Sequence, residues 1–185
     1  MFRARRALPF SATMPGMRIR WQFLTVPVLF ATVSPLVAGE LPKDAIADRI
    51  IVLKARRELQ LLHEGKVLKT YRVALEGNPI GPKQRQGDGR TPEGTYFIST
   101  RNPKSQFHLS PRISYPNQEQ RGRAKKMGVD PGGDIYIHGL PKGWEWVGAG
   151  HRMKDWTNGC IAVTNDEIEE MWRVVPNGTR VEIRP

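Results

Sequence analysis

Residues 135–172 read IYIHGLPKGWEWVGAGHRMKDWTNGCIAVTNDEIEEMW. A short apolar run, Ile135-Tyr136-Ile137, leads into His138-Gly139. The only cysteine of the chain, Cys160, follows in Thr157-Asn158-Gly159-Cys160. Behind it, Ile161-Ala162-Val163 has the length and apolarity of a short buried strand. Thr164-Asn165-Asp166-Glu167 then matches a capping box, with Thr164 at the N-cap answered by Glu167. Asp166 and Glu167 also suit the positive end of a helix dipole. Ile168, Met171, Trp172 and Val175 recur at helical spacing and are expected to face the core. Pro176-Asn177-Gly178 ends that helix. Strand, loop, strand and helix thus surround one thiol.

Outward from this stretch, most signals are of strand type. Residues 49–54 hold the buried-strand run Ile50-Ile51-Val52-Leu53. Residues 58–63 and 66–75 flank Glu64-Gly65, which reads as a hairpin turn. On the second of these strands Val67, Lys69, Tyr71 and Val73 share a face. Residues 77–94, GNPIGPKQRQGDGRTPEG, form a loop long enough to border a site, and Arg90 and Lys83 there suit an anionic ligand. A strand is expected over residues 95–99. Residues 102–126 are polar and read as irregular, with a short strand at Ile113-Ser114-Tyr115. Residues 118–126 read as a short helix or an exposed basic segment. The turn Asp130-Pro131-Gly132-Gly133 feeds a strand over 134–137, and residues 179–184 alternate as a closing strand. The pattern predicts a mainly β domain, a sandwich or barrel-like sheet, with a helix packed on it after the cysteine. Without βαβ repeats, a doubly wound parallel sheet is not expected.

The length of 185 residues fits one domain behind a leader. Residues 1–39 carry five arginines, no acid and the apolar run 21–37, so they read as a secretory signal peptide with small residues before Glu40. Pro27 and Pro35 interrupt the run, which suits a cleaved signal better than a membrane span; an uncleaved anchor is the alternative. Residues 40–48 read as a polar linker and 49–185 as the folded domain. Either form of leader places the body outside the cytoplasm, in the periplasm. The net charge is +11, of which the leader supplies five. A surplus of this size suits solubility or a polyanionic substrate. No zinc-finger spacing, RNP motif or phosphate loop accompanies it, so nucleic acid is not expected as a partner.

One cysteine excludes an internal disulfide framework. A lone thiol in an oxidising compartment is buried and inert or else reactive for a reason. An imidazole can take its proton and later return it to a leaving amine. His138, at the end of a strand, is the candidate base, and Gly139 the candidate whose carbonyl orients the ring and whose missing side chain leaves room for a substrate. Gly159 permits a tight turn that exposes the sulfur, and the N–H groups of Gly159 and Cys160 are candidate oxyanion donors. A metal site built from His138, His151, Asp155 and Cys160 is the competing use of these residues. His63 and His108 read as structural.

Three elements together, His138-Gly139, Thr157-Asn158-Gly159-Cys160 and Gly87–Gly94 (GDGRTPEG), resemble the L,D-transpeptidase catalytic domain, the YkuD-like family, over residues 49–184. The resemblance implies a cysteine acyltransferase acting on peptidoglycan stem peptides. Cys160 would attack the carbonyl of the third stem residue, expel the terminal D-alanine and pass the thioester to an amine, giving a 3→3 cross-link. Water as acceptor gives a hydrolase or carboxypeptidase, and a lysine of an envelope lipoprotein is a further acceptor. No metal or organic cofactor is implied, and a monomer is expected. Asn158 and Ala162 stand where the family often has histidine and arginine, and His138 and Cys160 lie 22 positions apart. The form His151-x₃-Asp155-Trp156-Thr157-Asn158-Gly159-Cys160 is similar to the YafK-like branch, whose members include proteins that release links rather than form them. Thr157, Asn158, His151, Asp155 and Arg90 are the expected substrate contacts, and Trp144, Trp146 and Trp156 candidate walls of the cleft.

Overall fold

The computed structural model of the chain describes residues 39–185; apart from Gly39, the expected leader lies outside them. Among the described residues the strands are β1 (Arg49–Leu53), β2 (Glu58–His63), β3 (Lys66–Arg72), β4 (Gly94–Ser105), β5 (His108–Ile113), β6 (Ile137–His138), β7 (Ile161–Ala162) and β8 (Arg180–Arg184). Helix α1 (Gln118–Met127) precedes β6, a 3₁₀ segment (Glu145–Met153) precedes β7, and α2 (Asn165–Val174) precedes β8.

Six strands form one sheet in the order β3-β2-β1-β8-β4-β5. β1 and β8 pair in parallel, and their sheet neighbours are antiparallel. Ile50, Ile51 and Val52 of β1 are all buried, the pattern of a central strand covered on both faces. β6 and β7 make a small parallel pair of their own. It bridges the two edges of the large sheet: Ala162 pairs with Ala74 just beyond β3, and Tyr136 with Arg112 of β5. The strands therefore close into a ring, the barrel-like form of the expected sheet, and His138 is part of its last seam.

One apolar core fills the ring, with Leu59, Leu61, Tyr71, Tyr96, Ile98, Ile113, Ile137 and Ile161 among its members. Helix α2 covers it with Ile168, Met171 and Val174, each worth about 1.5–3 kcal/mol of apolar burial. Its capping box is formed: Thr164 accepts from the N–H of Glu167, and Glu167 accepts from the N–H of Thr164. Trp172, expected in the core, is half-buried instead. Its ring carries the guanidinium of Arg101 at 3.9 Å, and Val174 takes the inward position.

Two other expectations change. Residues 102–113 are not irregular, because β4 runs on to Ser105 and β5 returns from His108 as a long hairpin. Beyond Ile98 no β4 side chain is fully buried, so the outer half of that strand carries no apolar alternation for a sequence to display. Residues 40–48 are not a loose tether. Leu41 and Ala47 are in the core, and the N–H of Leu41 donates to Glu170 at 2.6 Å. Glu170 also takes bonds from Lys69 at 2.6 Å and Tyr71 at 2.7 Å, so one buried carboxylate ties the entering segment to α2 and β3.

The loop 77–94 is held by Lys54, which is 1% exposed. Its ammonium donates to the carbonyls of Gly81 (2.6 Å) and Thr91 (3.0 Å) and to Glu93 (2.7 Å). Within the loop, Asp88 accepts from Lys83 at 3.0 Å and from the N–H groups of Gln84, Arg85 and Arg90 at 2.6, 3.1 and 3.2 Å. Burial opposes the charge of Asp88, but those donors outweigh it and hold its carboxyl below the usual range.

Candidate active site

Cys160 lies at the end of a turn that only glycine completes. Gly159 has φ of 102°, and a β-carbon on it would stand 2.9 Å from the carbonyl oxygen of Arg90 and 3.2 Å from Ile135. Thr157 closes the turn, its hydroxyl donating to the carbonyl of Cys160 at 2.8 Å. The N–H groups of Gly159 and Cys160 take no part in the backbone hydrogen bonds that hold this turn. The thiol donates to the carbonyl of Asp134 at 3.7 Å. Burial pushes the Cys160 thiol up to about 11, with Glu76 and Asp134 adding to the rise and the Tyr136 N–H and Lys83 opposing it.

His138 is 3% exposed. Its Nδ1 lies 2.7 Å from the carbonyl of Gly139. A carbonyl only accepts, so Nδ1 carries the proton and Nε2 is the free base. Burial drives the imidazole down to about 4, and the Gly139 bond counters only part of that. Thiol and imidazole are therefore both neutral near pH 7. Gly139 also serves packing: a β-carbon there would stand 2.6 Å from Oδ1 of Asn165, which accepts the N–H of Leu140 at 2.8 Å. The space beside Gly139 is filled by α2 and the β4–β5 hairpin, not left open to a substrate.

His138 and Cys160 line one cleft of ≈ 550 Å³ with Phe107, Ser110, Trp156, Thr157 and Asn158. Cys160, Asp134 and Asn158 also line a second cleft of ≈ 790 Å³, whose other walls are Glu76, Lys83, Asp130 and the glycines 87, 132 and 133. The first is walled by aromatic rings, the second by charged groups and bare backbone. Burial raises the carboxyl of Glu76 above its ordinary value, against the pull of Lys83.

The other expected contacts divide. Thr157 and Asn158 are on the cleft walls, Asn158 on both. Asp155 is not there. Its carboxylate pairs with Arg57 (2.8 Å) and accepts the N–H of Leu75 (2.9 Å), so it ties the segment before Cys160 to the sheet. Arg90 reaches the cysteine turn through its backbone carbonyl, and its side chain faces a separate depression with Asn78, Asp88 and Met127. His151 is buried behind Trp156, whose indole N–H donates to its Nδ1 at 3.4 Å. Of the three tryptophans, Trp156 lines the cleft, Trp144 packs on it at 5.8 Å, and Trp146 is 85% exposed. Among the described residues no group of three or more metal-ligating side chains could hold a metal ion. Sequence reading missed Phe107, which enters from the hairpin, and Glu76 and Asp134, which reach the thiol from loops.

The family model described as the L,D-transpeptidase catalytic domain matches residues 47–183. YafK of Escherichia coli K12 is 29% identical over 132 residues, 68% of this chain and 46% of that protein. YqjB of Bacillus subtilis is 28% identical over 169 residues, 89% of this chain and 85% of that protein. Among solved structures, the helical cell shape determining protein Pgp2 of Campylobacter jejuni superposes with a TM-score of 0.58 at 25% identity, over 76% of this chain and 48% of its own. The chain spans about half the length of YafK and of Pgp2.

Proposed function

The chain belongs to the L,D-transpeptidase catalytic-domain family, and from that membership we propose that Cys160 forms a thioester with the third residue of a peptidoglycan stem peptide and passes it to an amine. His138 takes the thiol proton on Nε2 while Gly139 holds Nδ1. The thiolate attacks the stem carbonyl, and the oxyanion forms where the N–H groups of Gly159 and Cys160 are free to meet it. The imidazolium returns its proton to the departing amine, the terminal D-alanine. Because both groups rest neutral, the proton moves only as the new bond forms, so the bound carbonyl rather than the resting pair drives the step.

One observation carries the choice of transfer. Cys160 is a wall of two clefts of different chemistry. An acyl donor seated against the aromatic wall leaves the charged cleft open to a second stem peptide. The setting proposed is the periplasm, reached through the segment 1–39 as a signal peptide. The test is mass spectrometry of purified tetrapeptide muropeptides after incubation with the enzyme. New 3→3 dimers are expected, and Cys160→Ala and His138→Ala proteins that fold but form none. Tripeptides or freed monomers without dimers would instead make the protein a hydrolase, or a releaser of lipoprotein from the wall. No turnover at all would sink the thioester reading.

A further inference from the structure

Two aromatic rings flank the candidate base. The ring centroid of Phe107 is 4.6 Å from that of His138, tilted by 44°, and that of Trp156 is 5.7 Å away at 65°. Both centroids lie within about 6 Å, the range over which a ring quadrupole attracts a cation that sits over its face. His138 has the Gly139 carbonyl as its hydrogen-bond partner, and among the described residues no carboxylate pairs with it. When the S–H bond of Cys160 breaks and the Nε2–H bond forms, a positive charge appears on a ring that is 3% exposed. Its only counter-charge is the transient one on the sulfur or the oxyanion, and a charge at such depth without a fixed partner is costly. The nearby charged groups do not resolve it. Lys104 and Asp134 are on the cleft wall, where their signs oppose each other. His108, behind Gly139, is itself paired with Glu169 at 2.7 Å.

Trp156 is held on several sides. Phe107 lies 6.4 Å away, nearly parallel at 27°, and Trp144 backs it at 5.8 Å. His151, 5% exposed, stands edge-on at 84° and accepts the indole N–H on Nδ1. That bond requires a bare Nδ1, so His151 carries its proton on Nε2, a buried atom without a partner in the protein. A second proton on His151 would set N–H against N–H and release the indole. Burial disfavours that charge, Arg152 beside it adds to the penalty, and Glu167, already bonded to Arg152, only partly offsets the effect.

Resting on the thioester reading above, we propose that Phe107 and Trp156 take the part of the counter-charge for His138, their π systems stabilising the imidazolium it becomes, and that His151 is a positioning residue acting through the indole of Trp156. In this arrangement the aromatic wall does two jobs, shaping the donor cleft and tuning the base.

The test separates electrostatics from packing. Tryptophan at position 156 is replaced by site-specific incorporation of 5-fluoro- and then tetrafluorotryptophan, which keep the shape and drain the quadrupole. The His138 titration is followed by ¹⁵N NMR, and acylation by a carbapenem-type β-lactam by mass spectrometry. The His138 midpoint is expected to fall stepwise and acylation to slow about tenfold across the series, with the denaturation midpoint unmoved. His151→Gln, whose amide oxygen can still accept the indole N–H, is expected to behave as wild type, and His151→Leu to match a Trp156→Leu protein. A His138 midpoint that stays level across the fluorinated series overturns the proposal. Failure of the wild type to be acylated would sink the thioester reading instead, while the titration still decides this one.

Discussion

The ammonium of Lys54 stands 2.7 Å from the carboxylate of Glu93, with the lysine side chain 1% exposed. The same ammonium caps the carbonyls of Gly81 and Thr91. Replacing it orphans all three acceptors at once. Lys54→Met is expected to cost about 2–4 kcal/mol, the range for breaking a buried pair, discounted because Glu93 reaches some solvent. Urea denaturation reads the stability, and a change below ~1 kcal/mol would contradict the staple.

Gly159→Ala meets both a φ of 102° and the carbonyl of Arg90 at 2.9 Å. Strain of about 1–3 kcal/mol is expected. Because it falls on the turn that presents the sulfur, thioester formation should drop more than tenfold. Acylation of folded variant protein, followed by intact mass, makes the comparison.

Asp155→Asn should act on stability and not on substrate affinity. It weakens the Arg57 pair and the Leu75 bond, for a loss of about 1–3 kcal/mol. KM for a stem-peptide donor should stay within about twofold. A large rise in KM at unchanged stability would return Asp155 to the list of substrate contacts.

Acid should loosen the fold in a defined window. Burial holds His138 and His151 at about 4, against 6.5 for free imidazole. Between those values the unfolded chain binds more protons than the folded one, so stability is full above pH 6.5 and is lost as pH falls toward 4. A loss of about 2–5 kcal/mol is expected for the pair together. Guanidinium denaturation from pH 7 to 4 measures it, and His151→Phe should flatten part of the slope.

The Cys160 thiol, pushed up to about 11, should not show the quick alkylation of an activated cysteine. Its reaction with iodoacetamide should be slow at pH 7 and rise about tenfold per pH unit up to that range. Rapid labelling at pH 7 would mean a preformed thiolate–imidazolium pair.

How much was legible follows from distance along the chain. His138-Gly139, the Gly159-Cys160 turn and the capping box of α2 are each written in a few adjacent residues, and their local form could be read there. Asp155 was expected among the substrate contacts from the resemblance alone, because its partner Arg57 lies 98 positions away and leaves no local mark. Phe107 left no signal at all. It arrives on a hairpin whose outer half buries little, and it is registered on the base by the N–H of Gly139 donating to its carbonyl at 3.1 Å. Trp172 had helical spacing for the core, but an arginine stacked on it claimed the ring. Pattern reports which face is apolar; it does not report what covers it.

The seam between β6 and β7 closes the ring by joining Ala162 to Ala74 and Tyr136 to Arg112. Each of these contacts spans a long stretch of chain, and closing long loops is the slow part of folding. The thiol and the imidazole flank that seam, so a chain that has collapsed but not yet shut has no assembled site. Reactivity would then arrive together with the finished fold. A partly folded copy would be chemically silent.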